Sequence, residues 1–363
     1  MSGTSMDAVD AVLAETRGDD FTVRAARSVA LPGPVAEALR RLAVPGSPCS
    51  AESDALDELG RLDREVAELF AGAAVGLLAA AGIDAGAVRA IGSHGQTLRH
   101  RPRSARPFTL QIGDPNVIAS ATGIAVVADF RRRDVALGGQ GAPLVPAFHA
   151  AVLGDPGEYR AVLNIGGIAN LTLLPPGGPV TGFDTGPGNT LMDAWARRHL
   201  GRPYDAGGAW GASGQADTRL LEQLLAHPYL AMSPPKSTGP EDFSPAWLES
   251  LLSGAAALEP VDVQATLCEF TARTVVDALG DRGPARLVAC GGGAHNRALL
   301  DRIAALAPAT TVESSSAHGI DPDYVEATAF AWLAARTLAG LPGNLPAVTG
   351  ASHAAVLGAV WPA

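Results

Sequence analysis

The chain has 363 residues, 47% of them apolar and 18% charged, with 42 glycines, 27 prolines and a formal net charge of −10. That length exceeds one comfortable hydrophobic core, so two domains are expected, and the composition excludes a disordered chain. The negative charge argues against sequence-independent nucleic-acid binding, which needs cations to displace phosphate counterions, while a loop of backbone N–H groups still suits a phosphorylated small molecule.

From the N-terminus, a Gly/Ser/Thr turn precedes two alternating segments, Ala8–Leu13 and Phe21–Val29, which read as a strand meander. Residues 1–20 lack the basic-then-apolar order of a signal peptide, and no apolar run reaches membrane-spanning length; a cytoplasmic protein is expected. Residues 35–43 read as a helix. After a turn at Pro45–Pro48, the stretch Ala51–Ala81 carries Leu56, Leu59, Leu62, Val66, Leu69 and Phe70 at helical spacing. Val88–Ser93, Thr109–Ile112 and Ile124–Ala128 read as strands. Arg160–Asn164 and Ile168–Leu174 flank Gly166-Gly167 as a hairpin, with Gly182-Phe183 as a third strand and a helix over Thr190–His199. A Pro/Ser-rich loop over His227–Pro245 leads to helices at Pro245–Leu252 and Val263–Leu279. A strand at Arg286–Ala289 and helices at Asn296–Ala307 and Glu326–Ala339 complete the order. Two similar halves on mixed sheets imply an α/β protein with a cleft between lobes.

Four loops place glycine or small polar residues beside apolar strands. Met1–Asp10 (MSGTSMDAVD) lets a backbone approach phosphate, and Asp7 or Asp10 suits Mg²⁺ and its waters; a frayed terminus has the same composition. Asn164–Thr172 joins a bare Gly-Gly turn to Asn164 and Asn170, both possible donors; an ordinary type I′ hairpin looks alike. Gly182–Asn189 (GFDTGPGN) sets Asp184 at a strand end facing a helix start, whose donors would keep a general base ionised; an Asx turn is the rival reading. Leu287–Asn296 carries Gly291-Gly292-Gly293, a platform for a flat ring, and its lateness in the chain speaks against a dinucleotide-binding βαβ unit. Lys236 is the only lysine, so a GxxxxGK P-loop is excluded. Cys49, Cys268 and Cys290 lack CxxC spacing, so neither a disulfide framework nor a zinc site is expected. Four loops spread over both halves favour a nucleotide held between two lobes.

The ordered set MSGTSMDAVD, GSHGQT, QIGDPNVIA, DFRRRDVALGGQGAPLVP, NIGGIANLT, GFDTGPGN, CGGGAHN and NLPAVTGA, running from residue 1 to about residue 358, resembles the anhydro-N-acetylmuramic acid kinase family. That family belongs to the actin/hexokinase/Hsp70-like ATPase superfamily. The resemblance implies two ribonuclease-H-like lobes, here residues 1–127 and 128–363 with the extreme C-terminus packing back on the first lobe. It implies ATP and Mg²⁺ as cofactors, opening of the 1,6-anhydro bridge by water, and phosphorylation of O6 in peptidoglycan recycling. It assigns ATP contacts to Gly3, Thr4, Ser5, Met6, Asp7, Ala8, Val9 and Asp10, to Asn164, Gly166, Gly167 and Asn170, and to Gly291, Gly292, Gly293 and Asn296. Asp184 takes the catalytic role, and Asp7 a Mg²⁺ site through water. His94, Gln96, Arg131 and Glu326 become sugar contacts, with one of Arg131, Arg132 and Arg133 suited to pair bidentately with the lactyl carboxylate. Relatives suggest a homodimer. Two departures stand out. Relatives usually carry a short apolar strand before the first loop, so the natural protein is expected to begin upstream. Pro240 stands where relatives tend to have Arg, which weakens the case for a ligand contact from Lys236–Phe243. A non-catalytic actin-like ATP switch and a kinase for another amino sugar are the rival functions.

Overall fold

A computed structural model describes the chain apart from residues 4–5, 18–19, 45–53, 235, 240, 254–257 and 281–282. The expected turn at Pro45–Pro48, Cys49 and the departure at Pro240 lie outside the described residues. The chain divides into two compact units, residues 1–148 with 326–363 and residues 149–325. The boundary expected after residue 127 falls inside the first of them.

In the first unit an antiparallel hairpin of β1 (Ala8–Arg17) and β2 (Asp20–Ala30) is followed by α1 (Gly33–Ala43), α2 (Ala55–Ala81) and the short β3 (Ile91–Gly92). A second hairpin, β4 (Gln96–Arg101) with β5 (Phe108–Ile112), leads to α3 (Pro115–Thr122), β6 (Val126–Ala128), α4 (Arg132–Ala136) and α5 (Val145–Phe148). The helices start and stop where their chemistry directs. Asp54 caps α2 by accepting from the N–H groups of Leu56 and Asp57, and Gly82 ends it in the left-handed conformation. Asp114 caps α3 ahead of Pro115, and Gly123 closes it in the same way.

The second unit is built on one five-stranded sheet. Its strands are β7 (Arg160–Ile165), β8 (Ile168–Leu174), β9 (Thr181–Pro187), β10 (Arg286–Cys290) and β11 (Thr311–Ser314), in the order β11-β10-β7-β8-β9. β7, β8 and β9 form the antiparallel meander; β10 runs parallel to β7, and β11 parallel to β10. This is the ribonuclease-H-like order. α6 (Thr190–Leu200), α7 (Thr218–Leu225), α8 (Pro245–Leu252), α9 (Pro260–Leu279) and α10 (Arg297–Leu306) supply the helical layer. Ala161, Leu163 and Ile165 point from one face of β7 into a core with Val263, Leu267, Phe270 and Val275 of α9. α7, with Leu220, Leu221 and Leu224 buried on one side, and the short, polar β11 were not expected from the sequence.

The chain returns to the first unit as α11 (Val325–Leu338), α12 (Pro346–Thr349) and β12 (Ala359–Trp361). β12 pairs antiparallel with β6, and β3 pairs parallel with β6. β3 is shorter than the strand expected over Val88–Ser93. Its Gly92 lies so close to α11 that a Cβ there would sit 2.3 Å from the Phe330 carbonyl oxygen. The hairpin β1–β2 and the sheet β12-β6-β3 remain separate. A cavity of about 790 Å³, lined by residues including Ala11, Leu13, Phe70, Leu77 and Ile91, lies beside the β1 and β3 backbones. No helix among the described residues is long and apolar enough to cross a membrane.

Asp134, fully buried, ties the DFRRRDVALGGQGAPLVP segment to NLPAVTGA. Its carboxylate accepts from the Gly141 N–H at 2.7 Å, the Asn344 amide at 2.7 Å and the Thr349 hydroxyl at 2.8 Å. Three neutral donors compensate the desolvated charge, and the Arg131 guanidinium, bonded to the Gly141 carbonyl, attracts it from the same segment. Asp134→Ala would leave those buried donors unpaired and is expected to cost about 3 kcal/mol of stability. Urea unfolding reads this as a lower midpoint at unchanged slope, and an unchanged midpoint would contradict the account.

Candidate active site

In the second unit the strand registers line up three polar side chains. Asn164 of β7 lies opposite Asn170 of β8, which lies opposite Asp184 of β9, and Cys290 of β10 extends the row beyond Asn164. Directly opposed residues share a sheet face, and this face is the one turned away from the Ala161–Leu163–Ile165 core. The alignment depends on a β-bulge. Ala169 pairs with Gly186 but Asn170 pairs with Asp184, so Thr185 is the extra residue, buried, with its hydroxyl directed to the Ala169 carbonyl at 3.3 Å. Without that residue Asp184 would turn to the opposite face.

Asp184 is half-buried, and burial raises its carboxyl above the usual aspartate range. One backbone donor opposes this rise: the Thr238 N–H, 3.0 Å from Oδ2. Its own N–H donates to the Lys236 carbonyl at 3.2 Å, and its carbonyl accepts from the Tyr229 hydroxyl at 2.8 Å. The expectation that helix-start donors hold this acid is therefore corrected. The N–H groups of Gly188, Asn189 and Thr190 at the start of α6 are taken by the Gly167, Gly166 and Gly167 carbonyls respectively. The donor comes instead from the loop before α8, 54 residues along the chain, in the Lys236–Phe243 segment that the resemblance singled out without linking it to Asp184.

Those same bonds shape the Gly166–Gly167 turn. Neither glycine has a positive φ, so the turn is not type I′; small size is what is required. A Cβ on Gly167 would stand 2.8 Å from the Thr190 hydroxyl oxygen. The turn's carbonyls face α6, and its two N–H groups have no acceptor among the described residues. The triple-glycine loop sits directly against it. Gly291 has φ +77°, and a Cβ there would meet the Asn164 Oδ1 at 2.4 Å; one on Gly293 would meet the Ile165 side chain at 2.2 Å. Gly292 remains exposed. Asn296 caps α10 through its amide oxygen, which accepts from the Leu299 N–H at 3.1 Å. One compact platform thus collects Asn164, Gly166, Gly167, Gly291, Gly292, Gly293 and Asn296, with Asn170 and Asp184 continuing its polar row.

The first unit gathers the other candidates. Thr4 and Ser5 lie outside the described residues. The Gly3 carbonyl accepts from the Met6 N–H at 3.3 Å and from the Gln96 amide at 3.3 Å, which joins the first loop to the GSHGQT segment. Met6 is buried at φ +52°, a strained conformation for a side-chain-bearing residue. Asp7 is exposed. Ala8, Val9 and Asp10 are strand and not loop residues, and Val9 is buried in the core, so only its backbone faces outward. Gln96 is buried, and its Oε1 has no partner among the described residues.

His94 accepts from Arg131 Nε at 3.0 Å on its Nε2, which leaves the ring proton on Nδ1. Burial, reinforced by Arg131, holds its pKa well below the usual value, so the imidazole is neutral. Arg131 also donates Nη1 to the Gly141 carbonyl at 2.8 Å and lies over the Phe330 ring. Nε and one hydrogen of Nη1 are thus engaged, and the other Nη1 hydrogen and both on Nη2 are the donors left for an anion. Glu326 reaches solvent at the start of α11, yet the surrounding protein raises its carboxyl above the usual range; Arg131 opposes the rise and Asp10 adds to it. No cluster of three or more His, Cys, Asp or Glu side chains able to hold a metal occurs among the described residues.

Gly293→Ala tests the platform. The added methyl must displace Ile165, an overpacking expected to cost about 1–3 kcal/mol. ATP titrated calorimetrically is expected to bind at least about tenfold more weakly in a still-folded variant, and wild-type affinity would contradict the packing argument.

The family model described as anhydro-N-acetylmuramic acid kinase matches residues 1–363. The chain is 55% identical over 365 residues to the anhydro-N-acetylmuramic acid kinase of Xanthomonas campestris pv. campestris strain 8004, covering 100% of this chain and 96% of that one. It is 53% identical over 365 residues to the enzyme of the same name from Shewanella pealeana, covering 100% and 97%. A glucokinase of the ROK family from Streptomyces griseus, solved with glucose and AMPPNP, is similar over 90% of this chain and 98% of its own. At 12% identity and a TM-score of 0.37 it adds nothing to the argument. On the full-length match and the identities above 50%, the chain belongs to the anhydro-N-acetylmuramic acid kinase family.

Proposed function

We propose that this chain uses ATP to convert anhydro-N-acetylmuramic acid and water into N-acetylmuramic acid 6-phosphate and ADP, with Asp184 as the general base. The carrying observation is Asp184 itself: a half-buried carboxylate with one backbone donor, in line with Asn164 and Asn170. In this reading a water oxygen bonds to the anomeric carbon as Asp184 takes its proton. The C1–O6 bond breaks, and the released O6 attacks the γ-phosphorus while the bond to the ADP oxygen breaks.

The other roles divide by unit. The Gly166–Gly167 turn with Asn164 and Asn170 is assigned to phosphate, and Gly291–Gly293 with Asn296 to the adenosine side. In the first unit Gly3–Asp10 is the further phosphate segment. Gln96, the His94 Nδ1–H, the free edge of Arg131, and Glu326 are assigned to the sugar, Arg131 to its lactyl carboxylate. Mg²⁺ bound with ATP supplies charge neutralisation at the phosphates. The lack of a ligand cluster among the described residues fits an ion carried by the nucleotide, with exposed Asp7 as a carboxylate reached through water. A cytoplasmic homodimer acting in the recycling of cell-wall fragments completes the proposal.

An ATP-consumption assay over anhydro and free amino sugars tests the substrate: anhydro-N-acetylmuramic acid should be turned over fastest, and faster use of a free amino sugar would overturn the assignment. Asp184→Asn is expected to keep ATP affinity and lose about 10²–10⁴-fold in turnover; full turnover would reduce Asp184 to a turn residue. The base must be ionised, and its pKa is raised. Turnover should therefore fall with acidification at a pH above the ordinary aspartate range, and a kcat profile flat down to pH 4 would contradict this.

A further inference from the structure

Lys236, the only lysine in the chain, sits in the loop that contacts Asp184 yet has no part in the steps above. Its ammonium donates to the Leu230 carbonyl at 3.2 Å and lies 4.9 Å from the centre of the Tyr229 ring. Both are contacts within its own loop, across a short span of chain. The loop is in turn fixed to the core by aromatic packing. Tyr229 meets Phe243 edge-on at 5.9 Å, and the fully buried Phe243 packs on Trp247 and Phe270.

Three polar contacts of Asp184 run to this loop. The Tyr229 hydroxyl donates to its carbonyl, the Lys236 carbonyl accepts from its N–H, and the Thr238 N–H donates to its carboxylate. Thr238 is held from its other side by Asp242, whose carboxylate accepts from the Thr238 hydroxyl at 2.6 Å. Of the titratable groups in this loop (His227, Tyr229, Lys236, Glu241 and Asp242), Tyr229 bonds Asp184 directly, Lys236 reaches it through Tyr229, and Asp242 through Thr238. Cation, ring and hydroxyl form one chain: the ammonium holds the Tyr229 ring, and the Tyr229 hydroxyl holds the backbone of Asp184.

We propose that Lys236 is a positioning residue for the reaction, clamping the 227–242 loop through Tyr229 and the Leu230 carbonyl so that the Thr238 N–H stays on the Asp184 carboxylate. The proposal rests on Asp184 being the base. Its cation acts on the loop and not on the substrate, so it sets how well the base is aimed and how readily it ionises, and leaves nucleotide binding alone.

Lys236→Met keeps the aliphatic stem and removes the ammonium; Lys236→Arg restores a cation able to stack on Tyr229. In Lys236→Met, kcat is expected to fall about tenfold to a hundredfold, the scale of a small misplacement of a reacting group. The acid limb of its pH profile is expected to move to higher pH as the Thr238 donor is loosened, with ATP affinity unchanged. Lys236→Arg should recover most of both. Tyr229→Phe, a one-atom change, should reproduce the shift, and the double variant Lys236→Met/Tyr229→Phe should lose no more than the worse single variant. An unmoved acid limb in Lys236→Met, or losses that multiply in the double variant, would overturn the proposal. If Asp184→Asn keeps full turnover, it is the base assignment that fails, whatever the Lys236 variants do.

Discussion

The register of three neighbouring strands is the constraint on which the rest of the second unit depends. A sheet face repeats every second residue, so one inserted residue decides whether Asp184 joins Asn164 and Asn170 or is buried with Leu163 and Ile165 against α9. Thr185 is that residue, buried with its hydroxyl directed to the Ala169 carbonyl. The polar row is thus placed by backbone geometry before any ligand binds. That is the condition for a base that must meet a water molecule with little reorganisation.

Close approach plays the same part for the glycine loops. Glycine at 291 and 293 lets β10 end against Asn164 and Ile165, and the Gly166–Gly167 carbonyls occupy the start of α6. The turn's N–H groups are consequently left facing outward, the arrangement that suits an anion. The first unit reaches its polar surface by another route. Asp134 is buried among neutral donors, and Arg131, next to it in the same segment, holds His94 in one tautomer.

Much of this was legible in the sequence because it lies in short, contiguous glycine motifs. GFDTGPGN and CGGGAHN each announce a strand end with a bare backbone, and the hairpin around Gly166-Gly167 and the long helices carry their periodicity openly. What escaped detection is non-local. The donor on Asp184 comes from Thr238, in a Pro/Ser-rich stretch pinned by the spaced aromatics Tyr229, Phe243 and Trp247, and nothing local in it points to Asp184. The bulge at Thr185 leaves no compositional trace. Arg131 was assigned by charge, yet two of its nitrogens serve His94 and Gly141. β11 is too short and too polar for alternation to register. Local chemistry reads well; pairings across tens of residues do not.

The central claim is that water, activated by Asp184, opens the anhydro bridge as O6 takes the phosphoryl group. The most direct measurement runs the reaction in H₂¹⁸O and locates the label in the sugar phosphate by mass spectrometry of fragments. The account predicts one ¹⁸O at the anomeric carbon, before exchange in the free product, and none in the transferred phosphoryl group. Label in the phosphoryl group, or an unlabelled anomeric oxygen, would contradict it.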